Sequence, residues 1–170
     1  MAAAHDTRIQ SAVNTFEDAN ARMVALLEAL SDDAARRAPA EGSWNAAQVG
    51  YHVAVTNELF AGILTGAVPM ARQDPAFNEN EKVFSGLPGK VQTLPPLEPP
   101  SAAARAEAIT KLRSAQQALT AAIKALPPDR AATQVMDLPF GTINMYQAAE
   151  FAGAHVTRHL EQLRRCTSAA

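Results

Sequence analysis

A chain of 170 residues with 48% hydrophobic side chains is long enough for one compact domain with a true core, spanning residues 1–170, and its composition excludes a disordered polymer. A net charge of −2 and a pI near 6.1 exclude the basic surface through which proteins neutralise phosphates, so no nucleic-acid partner is expected. The single cysteine, Cys166, makes no internal disulfide, the opening MAAAHDTR lacks the features of a secretion signal, and the longest apolar run, Phe60 to Ala71, falls well short of the roughly 20 residues of a membrane helix. The expectation is a cytoplasmic protein with no membrane partner and a small-molecule ligand; a homodimer is left open.

Ile9, Val13, Phe16, Asn20, Met23, Leu27 and Leu30 recur at alternating spacings of four and three, which predicts a first helix over about Asp6 to Ala29 with a bundle seam along it. Asn20 is the polar member of that seam, either a buried amide that fixes helix register or a pocket-facing group. Ser31 to Glu41 reads as a turn with room for a short helical piece, ended by Pro39 and Gly42. Ser43 is the expected N-cap of a second helix, Trp44 to about Thr65, whose stripe of Val49, His52, Thr56, Leu59 or Phe60, and Ile63 points His52 inward.

From Gly66 to Pro100 seven prolines and several glycines exclude a long helix and predict a crossover of about 35 residues. That length exceeds a tight connection, and Phe77, Phe84 and Leu87 either pin the segment to the core or form part of a lid over the bundle end. After Ser101, a cap-like residue, Ala108, Leu112, Ala115, Leu119, Ala122 and Leu126 mark a third helix, Ala102 to Leu126, stopped by Pro127 and Pro128. Its alanines let neighbouring helices approach or leave a cavity. Ala131 to Gly141 is extended or hairpin-like, and Asn144 with Gln147 forms a capping box for a fourth helix, Met145 to Arg165, with Met145, Ala148, Ala152, His155, His159, Gln162 and Cys166 along its seam. Together these elements predict an all-α four-helix bundle with a long crossover between its second and third helices and no substantial sheet.

The chemistry concentrates in GAHVTRHLEQL, Gly153 to Leu163. Four residues along a helix turn the second side chain by about 40° from the first, so His155 and His159 leave one face a turn apart and two nitrogens reach one ion. His52, on the inward stripe of another helix, supplies a third. Three imidazoles would give an open site with a coordination position left for water or substrate. Spacing alone leaves two readings: a shared metal site, or core histidines satisfied by local hydrogen bonds. HVTRH has no Glu in the HExxH position, so a zincin protease is not indicated.

Ser43-Trp44 followed eight residues after the tryptophan by His52, together with the late GAHVTRHLEQL, resembles the DinB-like (DNA-damage-inducible protein B-like) superfamily of four-helix-bundle metalloenzymes. The resemblance covers essentially the whole chain, crossover included. It implies that His52, His155 and His159 bind a divalent ion, commonly zinc or nickel, and it brings activities such as thiol transfer with low-molecular-weight thiols and mycothiol-dependent isomerisation; many members have no established reaction.

Three neutral imidazoles leave a divalent cation's charge little compensated, which favours ionisation of a bound water or thiol and suits hydrolysis or thiol transfer. No general base is legible, because helical spacing puts none of Glu58, Glu150 and Glu161 beside a ligand, and the catalytic residues stay unassigned. Asn20, Trp44 and Thr56 are the candidates for pocket-lining or ligand-supporting groups, each with ordinary core packing as the alternative. Cys166, nearly two turns past His159, reads as a structural thiol. Two functions follow: a metal-dependent hydrolase or thiol transferase acting on a small molecule, or a non-catalytic helical binding or stress-response module whose metal is structural. The absence of an obvious fourth protein ligand on the seams leans towards the enzyme.

Overall fold

A computed structural model of the chain describes residues 2–80 and 93–168. Its elements are α1 (Ala2–Glu28), α2 (Asp32–Arg36), α3 (Ala46–Thr65), β1 (Arg72–Gln73), a 3₁₀ turn (Pro95–Leu97), α4 (Arg105–Lys124), α5 (Pro128–Thr133), β2 (Gln134–Leu138), β3 (Gly141–Asn144) and α6 (Met145–Ser168). The four long helices α1, α3, α4 and α6 form the bundle, as the four seams predict. None of the described helices is long and apolar enough to cross a membrane.

Side-chain pairings give the directions. Arg8 of α1 bonds Glu150 of α6 near both helix starts, so those two run the same way. Glu28, at the end of α1, meets Arg113 in the first half of α4, and Trp44 before α3 meets Cys166 near the end of α6, so α4 and α3 run opposite to them. Around the bundle the neighbours are α1, α4, α3 and α6, closing back on α1, with the sequential pair α1 and α3 on a diagonal. Because α3 and α4 are parallel, the chain must travel the length of the bundle between them, which is the mechanical reason for the long crossover.

The seams fill the core as read: Val13, Phe16, Met23 and Leu27 from α1, Val49 and Ile63 from α3, and Leu112 and Leu119 from α4 are all buried. On α6 the expected seam needs correcting. Its deepest residues are Met145, Ala148, Ala149, Ala152, Val156, Leu160 and Leu163, while His155, His159 and Gln162 lie half-buried on one flank of that stripe. Cys166 is buried, donating to the carbonyls of Trp44 and Gln162 at 3.6 and 3.4 Å.

Two caps also differ from expectation. The N-cap of α3 is Asn45, not Ser43: its side chain accepts from Gln48 N while Gln48 Oε1 accepts from Asn45 N, the reciprocal box that a serine two residues earlier lacks. Ser101 does not cap α4, which starts at Arg105 behind Ala104 with no side-chain cap; the Arg105–Asp32 ion pair anchors that start instead. The box of Asn144 and Gln147 at the start of α6 is present, with bonds of 3.0 and 3.3 Å.

Of the segment expected to be extended or hairpin-like, residues 131–133 instead close the short helix α5 and the rest enters the β2–β3 hairpin, and the first part of the crossover adds β1 as a third antiparallel strand in the order β1-β2-β3. That small sheet was not predicted, because the two residues of β1 carry no alternating apolar pattern. Phe77 is half-buried in the crossover; Phe84 and Leu87 lie outside the described residues. The small residues on the seams give close approach. A Cβ on Gly50 would stand 2.7 Å from Leu27 Cδ1 and 3.4 Å from the Ala108 Cβ.

Candidate metal centre

His52 on α3 and His155 and His159 on α6 converge on the seam between those helices. Each offers one ring nitrogen to a set whose members lie within 4.8 Å of one another. Ring centroids are 4.5 Å apart for His155 and His159, 4.7 Å for His52 and His159, and 5.3 Å for His52 and His155. Three nitrogens around a tetrahedral zinc stand about 3.3 Å apart, so modest side-chain rotation closes the gap.

The electrostatics favour the ligand form. Burial, reinforced by the neighbouring histidines and Arg158, pushes His155 well below the ordinary imidazole range. His159 is lowered to about 4, by burial first and then by His52. Burial also lowers His52, against the opposing hydrogen bond to Leu97. All three are therefore neutral at pH 7, the state in which imidazole binds a metal.

Hydrogen bonds fix two of the tautomers. His52 Nδ1 lies 2.9 Å from the Leu97 carbonyl and His159 Nδ1 lies 2.8 Å from Gln162 Oε1. Both oxygens only accept, so each Nδ1 donates and each Nε2 keeps its lone pair. His155 Nδ1 is buried without any hydrogen-bond partner among the described residues. A buried ring nitrogen left unpaired in a cluster of imidazole lone pairs fits a site built around a cation, and among the described residues no carboxylate bonds a triad imidazole.

The other sequence candidates fall in different places. The Trp44 ring packs on His52 at 4.9 Å, beside the triad. Thr56 donates from Oγ1 to the carbonyl of His52 at 2.9 Å, supporting the helix backbone one turn on and not the imidazole. Asn20 sits on the α1–α4 seam, donating to Gln116 Oε1 at 2.8 Å and toward the Leu112 carbonyl at 3.4 Å, on the opposite side of the bundle from the α3–α6 seam. The amide therefore does not face the triad. Three contributors escaped sequence reasoning. The Leu97 carbonyl comes from a crossover whose side chains give no hint of it. Gln162 was legible as a seam residue but not as a histidine partner. Phe151, at 5.6 Å from His155 and stacked on Phe60 and Phe140 at 5.3 and 5.4 Å, is one turn before His155.

Four long helices running up, down, down and up bring together three neutral imidazoles in a group that could hold a metal ion. The chain belongs to the DinB superfamily, whose family model matches residues 15–163. Among solved structures it is similar to YfiT from Bacillus subtilis, described as a probable metal-dependent hydrolase with an unusual four-helix bundle topology; the two are 17% identical, with a TM-score of 0.63 over 94% of this chain and 86% of that one. No curated protein matches the chain.

Proposed function

We propose that this protein is a metal-dependent enzyme that holds a divalent ion, zinc or nickel, on His52, His155 and His159 and acts on a small molecule as a hydrolase or a transferase of low-molecular-weight thiols. The observation that carries the reading is the triad itself: three neutral imidazoles with converging nitrogens and, among the described residues, no carboxylate closing the set. The likeness to a bundle described as a probable metal-dependent hydrolase supports it.

When bound, a divalent cation supplies Lewis acidity and makes a water molecule or a thiol a nucleophile near neutral pH. The chain's own residues prepare that chemistry. Leu97 and Gln162 hold protons on the outer nitrogens of His52 and His159, so that lone pairs face inward. Trp44 and Phe151 wall the triad with apolar rings, which lower the local dielectric and limit water. Cys166 is buried against Trp44 and its pKa is raised by that burial, so it is a thiol packed in the core and not a nucleophile.

A second reading is a non-catalytic binding module with a structural ion. Two surface clefts, one between Arg22, Ala25, Leu26 and Arg164 and one along Asp6 to Thr15, lie away from the triad. One experiment separates the two. Zinc- and nickel-loaded protein is screened with ester, amide and electrophilic substrates, with and without low-molecular-weight thiols, beside His155→Ala. Enzyme function predicts a turnover lost both on chelation and in the variant; turnover indifferent to both rejects metal catalysis, and metal binding without any turnover supports the module.

A further inference from the structure

Two of the three triad imidazoles are oriented by oxygens of different origin. The Leu97 carbonyl on His52 is main chain and comes with the fold of the crossover. The oxygen on His159 belongs to a side chain, Gln162, three residues further along α6 and half-buried on the same flank. Helix formation does not demand a glutamine there: leucine and lysine have comparable helix propensity, and neither can accept a proton from an imidazole. His155, with its buried Nδ1 unpartnered, shows the alternative arrangement in the same cluster. A neutral imidazole has one proton to place. If it sat on Nε2 of His159, that nitrogen would point an N–H at its neighbours His52 and His155 and could not donate a lone pair to a cation.

We infer that Gln162 is a positioning residue: by accepting from Nδ1 of His159 it fixes the tautomer of that ring and presents Nε2 to the divalent ion. The metal half of this inference rests on the proposed function; the tautomer half stands on the metal-free geometry. Removing a hydrogen-bond partner of a ligand histidine ordinarily weakens metal binding about 10–100-fold. A carboxylate accepts the same proton, so Gln162→Glu should rescue what an apolar residue loses.

The test uses the full chain as wild type, Gln162→Leu, Gln162→Met and Gln162→Glu. Long-range proton–nitrogen spectra of the metal-free proteins read the His159 tautomer, competition against a chromophoric chelator reads zinc affinity, and circular dichroism reads helix content. The expected result is Nδ1–H at His159 in wild type and in Gln162→Glu, mixed tautomers in the two apolar variants, and zinc affinity lower by about 10–100-fold in those variants alone at unchanged helix content. Gln162→Met preserves an unbranched chain of similar length, so it decides the matter if Gln162→Leu fails to fold. Nε2–H at His159 in wild type, or apolar variants with unaltered tautomer and affinity, overturns the inference. If wild type binds no zinc, the proposed function fails instead, and the tautomer comparison alone decides the role of Gln162.

Discussion

Histidine neutrality is the property on which the site depends, and it comes from where three rings are put. His52, His155 and His159 lie on the α3–α6 seam, where burial disfavours charge on all three and neighbouring histidines add to it at His155 and His159. Unfolded histidine binds its proton near pH 6.5; folded His159 does so only near pH 4. Between those values the unfolded chain holds more protons, so stability is full above the unfolded pKa and is lost as pH falls towards the folded one. The urea midpoint of the metal-free protein should therefore hold steady from pH 8 to about 7 and decline from about 6.5 towards 4, with a shallower decline in His159→Gln. Equal slopes in that window would contradict the assignment. The triad was legible in the sequence because three of the four histidines fall on or beside the buried stripes of helices with clear seams. The support around them was not. Thr56 reads as a neighbour one turn from His52, yet its hydroxyl donates to the helix carbonyl, a choice made by side-chain rotamer and not by spacing. Asn20 reads as a polar seam residue, but only the order of helices around the bundle shows that it faces α4 and not the triad.

At the scale of elements, the site requires α6 to sit at a set depth against its neighbours. Gly153, two residues before His155, permits the close approach to α1: a Cβ there would stand 2.8 Å from Thr15 Cγ2 and 3.2 Å from the Phe16 backbone nitrogen. Gly153→Val should cost about 1–3 kcal/mol of stability, since the clash includes backbone that cannot rotate away and valine's small gain in helix propensity over glycine does not offset it. It should also weaken zinc binding, because the displaced turn carries His155; chemical denaturation and chelator competition measure the two effects, and undiminished zinc affinity would show that the ligand turn moves independently of that contact. The crossover offers a second check. Its 3₁₀ turn Pro95–Leu97 is tied to His52 through the Leu97 carbonyl, so fixing His52 with zinc should slow amide exchange at Leu97 and Glu98, whose N–H groups close that turn. Exchange there unaltered by zinc would uncouple the crossover from the site. The four long helices were readable from seams and prolines, whereas their starts were decided by reciprocity: Asn45 has Gln48 three residues on and outcompetes Ser43 as a cap, and Ser101 has no such partner.

At the scale of the whole molecule, the parallel pair α3 and α4 explains both the length of the crossover and its reach to the triad. A chain that must return along the bundle passes the α3–α6 seam, where it lends a carbonyl to His52. The periodic pattern of each helix specifies an inward face but not which neighbour that face meets, so the four bundle helices and the crossover were legible and the up-down-down-up order was not. The β1–β2–β3 sheet follows from the same return path, since Arg72 and Gln73 pair with β2 through backbone groups that side-chain pattern does not encode. One polar network fastens the other end: Arg8 bridges Glu150 of α6 and Glu79 of the crossover, and Asn144 donates to Glu79 at 2.6 Å. The proposed function turns on one ion held by three histidines from two helices. Titration of the metal-free protein with cobalt(II), followed by visible absorption and binding stoichiometry in wild type and in His52→Ala, His155→Ala and His159→Ala, tests that claim most directly. The account predicts one ion per chain in wild type, with the intense bands of a four- or five-coordinate centre, and loss of those bands in each variant at retained helix content; cobalt that fails to bind wild type, or that binds any of the three variants with the wild-type spectrum, would contradict it.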